Sequence, residues 1–477
     1  MKTEQKVTEH QKKCQHMLEK ALDGEAIFAF LERREFEEGY IRFSLITNEM
    51  LKYDKEKLAL TSEELIKDDY RPYFFSFIAY LAEEKNNEIQ DLFAKNESGW
   101  FGVRIVPVEA TNNNDKDDVI CLEGEIEWSA SPVIYISRKL EISKTVLPDE
   151  MVKNINNMTI KMTAEADKVI ASRIQNELDE VTLNEALIYK VGNGNAIKLE
   201  GKKKDSNGIV QKYNAMFDIG YHEHSAPKIP RKQYNPAVGA FRYLKPNVVF
   251  LSHWDSDHIM GTVYASKSIF NCNWYAPEIS IKHTGANGRR LAAYLFSIKK
   301  LHMISRDKSK SRKIGSFAND TVHIYMGKEE AGNEENSSGI AIVVKNDDVR
   351  SAFHGDAPYK CMKQLWNDFN GLEYIIAPHH GAETSDYSSI SSKTGMDVLF
   401  SANCNSSQRC KYRPAGTHVD AVFNNVIYVT ERGKCVAGNG ANSTSMGCLT
   451  GTYTCTTGNP VRGIKINLSK GHVVTII

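Results

Sequence analysis

The stretch VVFLSHWDSDHIMG, residues 248–261, is the part of the chain from which a fold can be predicted. An apolar run of strand length ends in a turn that holds four potential metal ligands within six positions: His253, Asp255, Asp257 and His258. Side chains two apart on an extended turn project the same way, whereas adjacent ones diverge, so one tight loop can serve two ions. The alternative is a capped helix start with exposed polar side chains, but two histidines and two aspartates exceed what capping needs.

Shorter motifs lie on both sides of this loop. They read VGNGNA at 191–196, FDIG at 217–220, NSSG at 336–339, FHGD at 353–356 and PHHGA at 378–382. In this order they resemble the metallo-β-lactamase superfamily, whose loop usually reads H-x-H-x-D-H. The aspartate at the third place of the loop is most similar to the soluble metallo-hydrolase domain of the ComEC/Rec2 competence proteins. The resemblance covers about half the chain, roughly residues 184–434.

The resemblance implies a fold and a ligand set. The fold is α/β, a metallo-β-lactamase-like αββα sandwich over residues 181–477 with a strand-rich, cysteine-containing C-terminal extension. The implied metal ligands are His253, Asp255, Asp257, His258, Asp356 and His379. The first two would hold one ion and the next two the other, with Asp356 bridging and His379 completing a site. Asp257 and His380 are the expected catalytic residues, with His380 as a proton donor or a support for the ligands.

The chain departs from the family pattern at several positions. Asn195 stands where the family usually has aspartate, Met260 replaces a glycine, and residues 411–414 lack the histidine often found before that proline. Segments like the membrane channel of the competence proteins are missing. We therefore expect the hydrolytic core without a role in DNA uptake.

The predicted ligands are rich in oxygen, with three aspartates against three histidines. Carboxylates suit harder ions, so Mn²⁺ or Mg²⁺ is as plausible as Zn²⁺ for two divalent metal ions. A phosphate group would need basic partners, for which Arg409, Lys411 and Arg413 are candidates unless they form a solvated loop. Residues 202–204, all lysine, lie in a hairpin-like loop and are expected to be surface residues.

Three functions are compatible with these residues. The leading prediction is a metal-dependent phosphodiesterase, a nuclease acting on DNA or RNA, in which a hydroxide bridging two ions attacks phosphorus in line. The second is hydrolysis of a small molecule, such as a lactone, lactam, thioester or cyclic nucleotide, on the same site. The third is a binding or regulatory protein that keeps the scaffold without catalysis, against which the complete set of ligand residues argues.

Composition limits the partners and the compartment. Lysine plus arginine equals aspartate plus glutamate at 60 each, so no overall charge draws the chain to nucleic acid or a membrane. Apolar stretches fall short of the roughly 18 residues of a membrane span, and the charged N-terminus does not resemble a secretory signal, which predicts a cytoplasmic protein. The nine cysteines include no CxxC pair, which favours reduced thiols. Cys435, Cys448 and Cys455 match no zinc pattern.

At 477 residues the chain should form two or three domains. Residues 1–180 predict a small α+β domain that could bind a protein partner, gate the active site or mediate oligomerisation. We expect helices at 1–35, in two segments of 62–95 and at 148–180, with strands at 39–46, 100–108, 119–128 and 133–142. Beyond residue 181, helices are expected at 288–300 and 359–370, and apolar runs predict strands at 186–191, 215–219, 247–251, 340–344, 373–377, 397–401 and 426–430.

Overall fold

The computed structural model describes most of the chain. The described residues are 8–33, 40–81, 89–92, 96, 99–109, 119–129, 134–147, 149–157, 162–189, 191, 194–221, 239–330, 334–369, 371–381, 396–400, 426–429, 433–435, 463–471 and 474–476. The chain divides into two compact units, Met1–Thr163 with Ile279–Leu301, and Ala164–Glu278 with His302–Ile477. The second unit thus begins at Ala164, whereas the sequence suggested a division near residue 181.

The first unit contains a closed barrel of six strands. The strands are β1 (Ile27–Arg33), β2 (Tyr40–Thr47), β3 (Phe75–Tyr80), β4 (Trp100–Val106), β5 (Val119–Trp128) and β6 (Ile134–Val146). They pair in the order β1-β2-β3-β5-β6-β4, and β4 closes onto β1. The cross-strand partners Phe43, Phe77 and Ile126 are all buried, because alternate side chains of paired strands share one face.

Four of these strands, β2, β4, β5 and β6, lie where the sequence predicts them. The prediction of helix is wrong for β1 and β3. Their sequences, IFAFLER and FSFIAY, are short and mostly apolar, and period alone does not separate a buried strand from a buried helix in such runs. Helices do form at Glu9–Leu22, Asn48–Leu58 and Ser62–Lys67, and a threonine side chain caps the start of each.

A buried ion pair fixes the helix Ala286–Ser297 within the first unit. Arg290 is fully buried, and its Nε lies 2.6 Å from Asp54 Oδ2. The Tyr70 hydroxyl donates to Asp54 Oδ1 at 2.9 Å, and the Arg290 guanidinium lies 3.7 Å from the centroid of the Tyr73 ring. Since a buried charge without its partner is strongly destabilising, this helix and the segment around Asp54 should fold together. The helix predicted at 288–300 is confirmed.

The second unit contains two eight-stranded sheets. Its strands are β7 (Val181–Tyr189), β8 (Ala196–Lys204), β9 (Val210–Ile219), β10 (Val248–Phe250), β11 (Asn273–Pro277), β12 (Leu301–Ile304), β13 (Arg312–Phe317), β14 (Val322–Met326), β15 (Ile340–Asn346), β16 (Val349–Phe353), β17 (Tyr374–Ile376), β18 (Asp397–Phe400), β19 (Val426–Val429), β20 (Gly433–Cys435), β21 (Gly463–Asn467) and β22 (Val474–Ile476). The first sheet has the order β12-β11-β10-β9-β8-β7-β21-β22, and the second runs from β13 to β20 in sequence order. The strands of the expected C-terminal extension therefore complete the first sheet beside β7.

One cluster of buried residues joins alternate side chains of both sheets, such as Ile197 and Phe217 from the first and Ile342 and Phe353 from the second. The helix Asp167–Leu178 contributes its apolar face to the same cluster. The other face of the second sheet packs against the helix Lys363–Asp368 in a separate cluster. The second unit is therefore a layered α/β structure in which the sheets bury one shared core.

Each of the seven apolar runs predicted as strands overlaps a strand of these sheets, and helix 359–370 is confirmed as the short helices Tyr359–Met362 and Lys363–Asp368. The single long helix expected at 148–180 is wrong, because two helices form, Asp149–Asn156 and Asp167–Leu178. Asn157, Thr159 and Thr163, which have low helix propensity, lie between them. Within the described residues, no helix has the length and apolar character needed to cross a bilayer.

Each strand that precedes a predicted ligand runs parallel to at least one neighbour. β10 is parallel to β9 and β11, and β17 is parallel to β16 and β18. The carboxyl ends of parallel strands meet at one edge of a sheet, where ligands commonly bind. The loops after β10, β16 and β17 start at such edges and carry all the predicted metal ligands.

Candidate metal centre

The loop after β10 carries the first four predicted ligands at a strand-to-helix turn. The chain leaves the three-residue strand through Leu251 and Ser252, which are both fully buried. Asp255 has extended backbone and is the N-cap residue of the short helix Ser256–Ile259. Asp257 and His258 therefore lie in the first turn of that helix.

Asp257, His258, Asp356 and His380 form a compact group of potential ligands. Each is buried and offers one ligand atom, and these atoms all lie within 4.8 Å of one another. His258 Nε2 is 3.0 Å from Asp356 Oδ1, and His380 Nε2 is 3.1 Å from Asp257 Oδ2. Ligands about 2.1 Å from a tetrahedral ion lie about 3.4 Å apart. The group therefore has the dimensions of a divalent-ion site.

A second group surrounds the other carboxylate oxygen of Asp356. His253 Nε2 lies 3.8 Å from Asp356 Oδ2 and 3.4 Å from Asp255 Oδ2. His379 Nε2 lies 3.5 Å from the same Asp356 oxygen. The side chains of Asp255 and His379 are 15% and 24% exposed, whereas those of the compact group are at most 3% exposed. Asp356 thus presents one oxygen to each group, which is the geometry of a bridging ligand.

The hydrogen bonding of two histidine nitrogens indicates whether these residues suit an ion. Within the described part of the chain, neither His253 Nε2 nor His258 Nε2 forms a hydrogen bond of normal geometry, although both are buried and face carboxylates. The opposite nitrogen of each ring is held, His258 Nδ1 at 2.7 Å from Asp218 Oδ2 and His253 Nδ1 at 3.0 Å from Ser252 Oγ. Metal-binding imidazoles are oriented in this way, so the donor set fits divalent ions.

Asp218, near the end of β9, supports the ligands and was not identified as a site residue from the sequence. Its carboxylate accepts hydrogen bonds from Ser252 N at 2.6 Å, Ser252 Oγ at 2.7 Å, His258 Nδ1 at 2.7 Å and Asn195 Nδ2 at 2.9 Å. Asp218 is fully buried and has a left-handed backbone with φ 58°. The sequence signal that could have identified Asp218 is the D-x-G pattern of residues 218–220, at the end of a predicted strand. Because Asp218 holds Nδ1 of His258, it leaves Nε2 as the nitrogen that would face a bound ion.

Asn195 ties three segments of the centre together. Its Nδ2 also donates to the His354 carbonyl at 3.4 Å, and its backbone N–H donates to the Asp257 carbonyl at 3.2 Å. Its own carbonyl accepts from Gly220 N at 2.7 Å. A Cβ at Gly220 would overlap the carbonyl oxygens of Asp257 and Asn195, so this position requires glycine. The residue that departs from the family pattern is therefore an integral part of the centre.

The two adjacent histidines after β17 have an unusual backbone. His379 and His380 have φ values of 51° and 54°, in the left-handed region. This conformation costs roughly 1–2 kcal/mol for each non-glycine residue and occurs preferentially at functional sites. The two side chains lie in different groups: His380 is buried in the compact group, whereas His379 is partly exposed beside the second group.

The charges of the centre are strongly coupled. Burial disfavours the charged form of His258, yet its pKa is raised well above its usual value because Asp356, Asp257 and Asp218 surround it. Burial likewise opposes ionisation of Asp356, but His258, His379 and His380 hold the pKa of this carboxyl well below its usual range. A divalent ion would take the place of the proton on His258, so ion binding should release a proton.

Several residues singled out from the sequence lie elsewhere. Arg409, Lys411 and Arg413, together with Cys448 and Cys455, fall outside the described residues. Residues 202–204 belong to strand β8, so the expectation of a loop there is wrong. The cysteines described as free thiols are Cys14, Cys121, Cys272 and Cys361.

Comparisons with known proteins return structures only, since no family model and no curated protein matches the chain. CmlA, a diiron β-hydroxylase from Streptomyces venezuelae, matches at 11% identity over 52% of this chain and 45% of its own, with a TM-score of 0.27. A long form RNase Z from yeast matches at 13% identity over 50% and 39%, with a TM-score of 0.25. The metallo-β-lactamase MIM-1 from Novosphingobium pentaromativorans matches at 12% over 41% and 76%, with a TM-score of 0.20.

These three structures are metallo-β-lactamase-fold proteins. The chain spans less than half the length of the first two. With TM-scores this low, the neighbours assign neither a family nor an activity to the chain. The activity is therefore inferred from the residues of the centre.

Proposed function

We propose that the chain is a metal-dependent hydrolase, with a metallo-β-lactamase-like αββα catalytic unit close to that of the competence proteins, and that it cleaves phosphodiesters in DNA or RNA. The observation that carries the proposal is buried Asp356, whose two carboxylate oxygens face two separate groups of histidines and aspartates. Two divalent ions, Zn²⁺, Mn²⁺ or Mg²⁺, suit this arrangement. When bound, such ions supply an activated water and neutralise charge on the reacting phosphate.

The side chains of the centre have separate roles. Asp257, His258 and His380 would hold one ion, His253 and Asp255 would hold the other, and Asp356 would contribute to both. We assign His379 as the proton donor to the leaving oxygen, because it is 24% exposed and solvent can reprotonate it. The sequence suggested the opposite roles for His379 and His380, and the burial of His380 in the compact group supports the exchange.

A phosphodiester is favoured over a neutral substrate by the ligands and by the reaction geometry. Three aspartates in one centre suit the harder ions that accompany phosphate oxygens. In-line displacement at phosphorus has an attacking and a leaving oxygen, and a pair of ions can stabilise both. Hydrolysis of a lactone, lactam or thioester develops charge mainly on one carbonyl oxygen and so makes less use of the second ion.

The test combines metal analysis with a substrate panel. After dialysis against Mn²⁺, Mg²⁺ or Zn²⁺, we expect close to two ions per chain and cleavage of bis-p-nitrophenyl phosphate and of single- or double-stranded DNA or RNA. Asp257→Asn and Asp356→Asn should lose metal and at least about 100-fold in activity. The matched control is Asp347→Asn, since Asp347 is exposed in a turn with φ 50°, which asparagine adopts equally well.

Two outcomes would contradict the proposal. Unchanged metal content in Asp257→Asn would show that these residues do not form a metal centre. Turnover of lactones or thioesters without any phosphodiesterase activity would support the metal centre but contradict the proposed phosphodiester substrate.

A further inference from the structure

We propose that one face of strands β8 and β9 is a track for the phosphate backbone of a nucleic-acid strand. The track, called the basic stripe below, consists of Lys198, Lys202 and Lys204 on β8 and Lys212 on β9. It rests on the proposed function, because it extends the substrate contacts of that centre, but its binding test does not require catalysis.

The strand register puts all four lysines on the same face of the hairpin. Lys202 pairs with Lys212, Lys204 with Val210, and Lys198 with Met216. Directly opposed residues of an antiparallel pair project to the same side of the sheet. The other side carries residues of the shared core, such as Leu199 and Tyr213. The basic stripe therefore lies on the face turned away from that core.

The charge of the stripe is only partly balanced. Glu200, between Lys198 and Lys202 on the same face, lies 2.5 Å from Lys198 Nζ and 3.2 Å from Lys212 Nζ. Lys202, Lys204 and Lys212 are nevertheless exposed. Like charges directly opposite each other, as in the Lys202 and Lys212 pair, destabilise a sheet. A bound polyanion would relieve that repulsion.

The direction of the stripe connects it to the metal centre. β8 begins at Ala196, next to Asn195, whose amide binds Asp218. From Lys198 to Lys204 the strand rises about 20 Å, which corresponds to about six phosphates at the spacing of one strand of duplex DNA. A nucleic-acid strand lying along β8 would thus start close to the centre and run towards the hairpin turn.

The hairpin turn offers too little apolar surface for a membrane. Ile209 and Val210 are each 58% exposed, and two side chains of this size bury little apolar area. Stable membrane anchoring usually needs a second strong signal. Two hydrogen bonds hold the turn, because Asp205 Oδ1 accepts from Asn207 N and Ile209 N at 2.9 and 2.8 Å. A basic strand pair with so little exposed apolar surface suits a phosphate backbone better than a lipid surface.

The experiment measures binding without cleavage. Fluorescein-labelled single-stranded DNA and RNA of about 20 nucleotides are titrated in EDTA, and anisotropy is followed over a range of salt concentrations. For Lys202→Gln/Lys212→Gln we expect roughly 10-fold weaker binding near 0.1 M salt. The slope of log Kd against log salt concentration should fall by about 1.4, because each of the two lost phosphate contacts contributes about 0.7. The matched control is Lys310→Gln/Lys313→Gln, two exposed lysines outside the hairpin.

Further measurements distinguish failure of this inference from failure of the proposed function. Turnover of bis-p-nitrophenyl phosphate should be the same in the stripe variant and wild type, because the small ester does not reach Lys202 or Lys212. If no variant or wild type cleaves any phosphodiester, the proposed function fails, while the anisotropy still measures the stripe. Equal binding by wild type and stripe variant would overturn the inference, as would lysine-dependent binding confined to phosphatidylcholine–phosphatidylserine vesicles.

Discussion

Replacing Asp218 by asparagine is the sharpest test of how the metal centre is supported. Three donors converge on Oδ2: Ser252 Oγ, His258 Nδ1 and Asn195 Nδ2, at 2.7, 2.7 and 2.9 Å. Ser252 N donates to Oδ1 at 2.6 Å. An asparagine has one oxygen and one amide nitrogen, so whichever way it turns it presents a donor to groups that already donate.

The size of the effect follows from these contacts. A hydrogen bond to a charged group contributes about 1.5–3 kcal/mol, and removing one member of a buried charged network costs about 3–5 kcal/mol. We therefore expect Asp218→Asn to lower the free energy of unfolding of the second unit by about 3–5 kcal/mol. The His258 ring also loses the partner that fixes its orientation, which should weaken metal binding by about 10–100-fold.

The control is a second buried aspartate with a comparable set of donors. Asp54, in the first unit, is held by Arg290 and by the Tyr70 hydroxyl. Asp54→Asn should cost similar stability in urea unfolding while metal affinity, measured by isothermal titration calorimetry, stays at the wild-type value. Equal metal affinity in Asp218→Asn and wild type would refute the supporting role of Asp218, and equal losses in both variants would show a general effect of misfolding.

Three further outcomes follow from single side chains. Burial lowers the pKa of His10 to about 4, so the unfolded chain binds more protons and up to about 3 kcal/mol of stability is lost as pH falls from 6.5 to 4; His10→Gln should flatten that loss in urea titrations. Gly220→Ala would push a methyl group into the Asp257 carbonyl and should yield protein with little bound metal by elemental analysis. His380→Ala should lose one ion by native mass spectrometry, whereas His379→Ala should retain both ions and lose kcat; the reverse pattern would restore the roles suggested by the sequence.

The local part of the centre is predictable because one loop contains it. His253, Asp255, Asp257 and His258 lie within six positions, so any strand-to-helix turn there brings their side chains together. Asp356 is different, since alone it looks like an ordinary turn residue after glycine. Only the order of motifs along the chain identified it, and the parallel register of β16 and β17 explains why that order brings it to the centre.

Other features depend on information that one sequence does not carry. The roles of His379 and His380 depend on the sign of two φ angles, which the letters PHHG do not specify. Asp218 acts through four donors, which three residues supply from 23 to 40 positions away in the sequence. The helix Ala286–Ser297 has the expected period, but its membership of the first unit follows from the long-range pairing of Arg290 with Asp54.

The charge of the proposed loaded centre leads to a final prediction about the substrate. Two divalent ions would contribute four positive charges, and the aspartates at 218, 255, 257 and 356 would contribute four negative ones, so the centre itself would attract an anion weakly. Attraction at longer range must then come from basic side chains outside it, such as Lys202 and Lys212. For a substrate of about 20 nucleotides we expect KM to rise steeply with salt in wild type and much less in Lys202→Gln/Lys212→Gln, with kcat unchanged in both. A fall in kcat, or an undiminished salt dependence of KM, would mean that the attraction originates elsewhere.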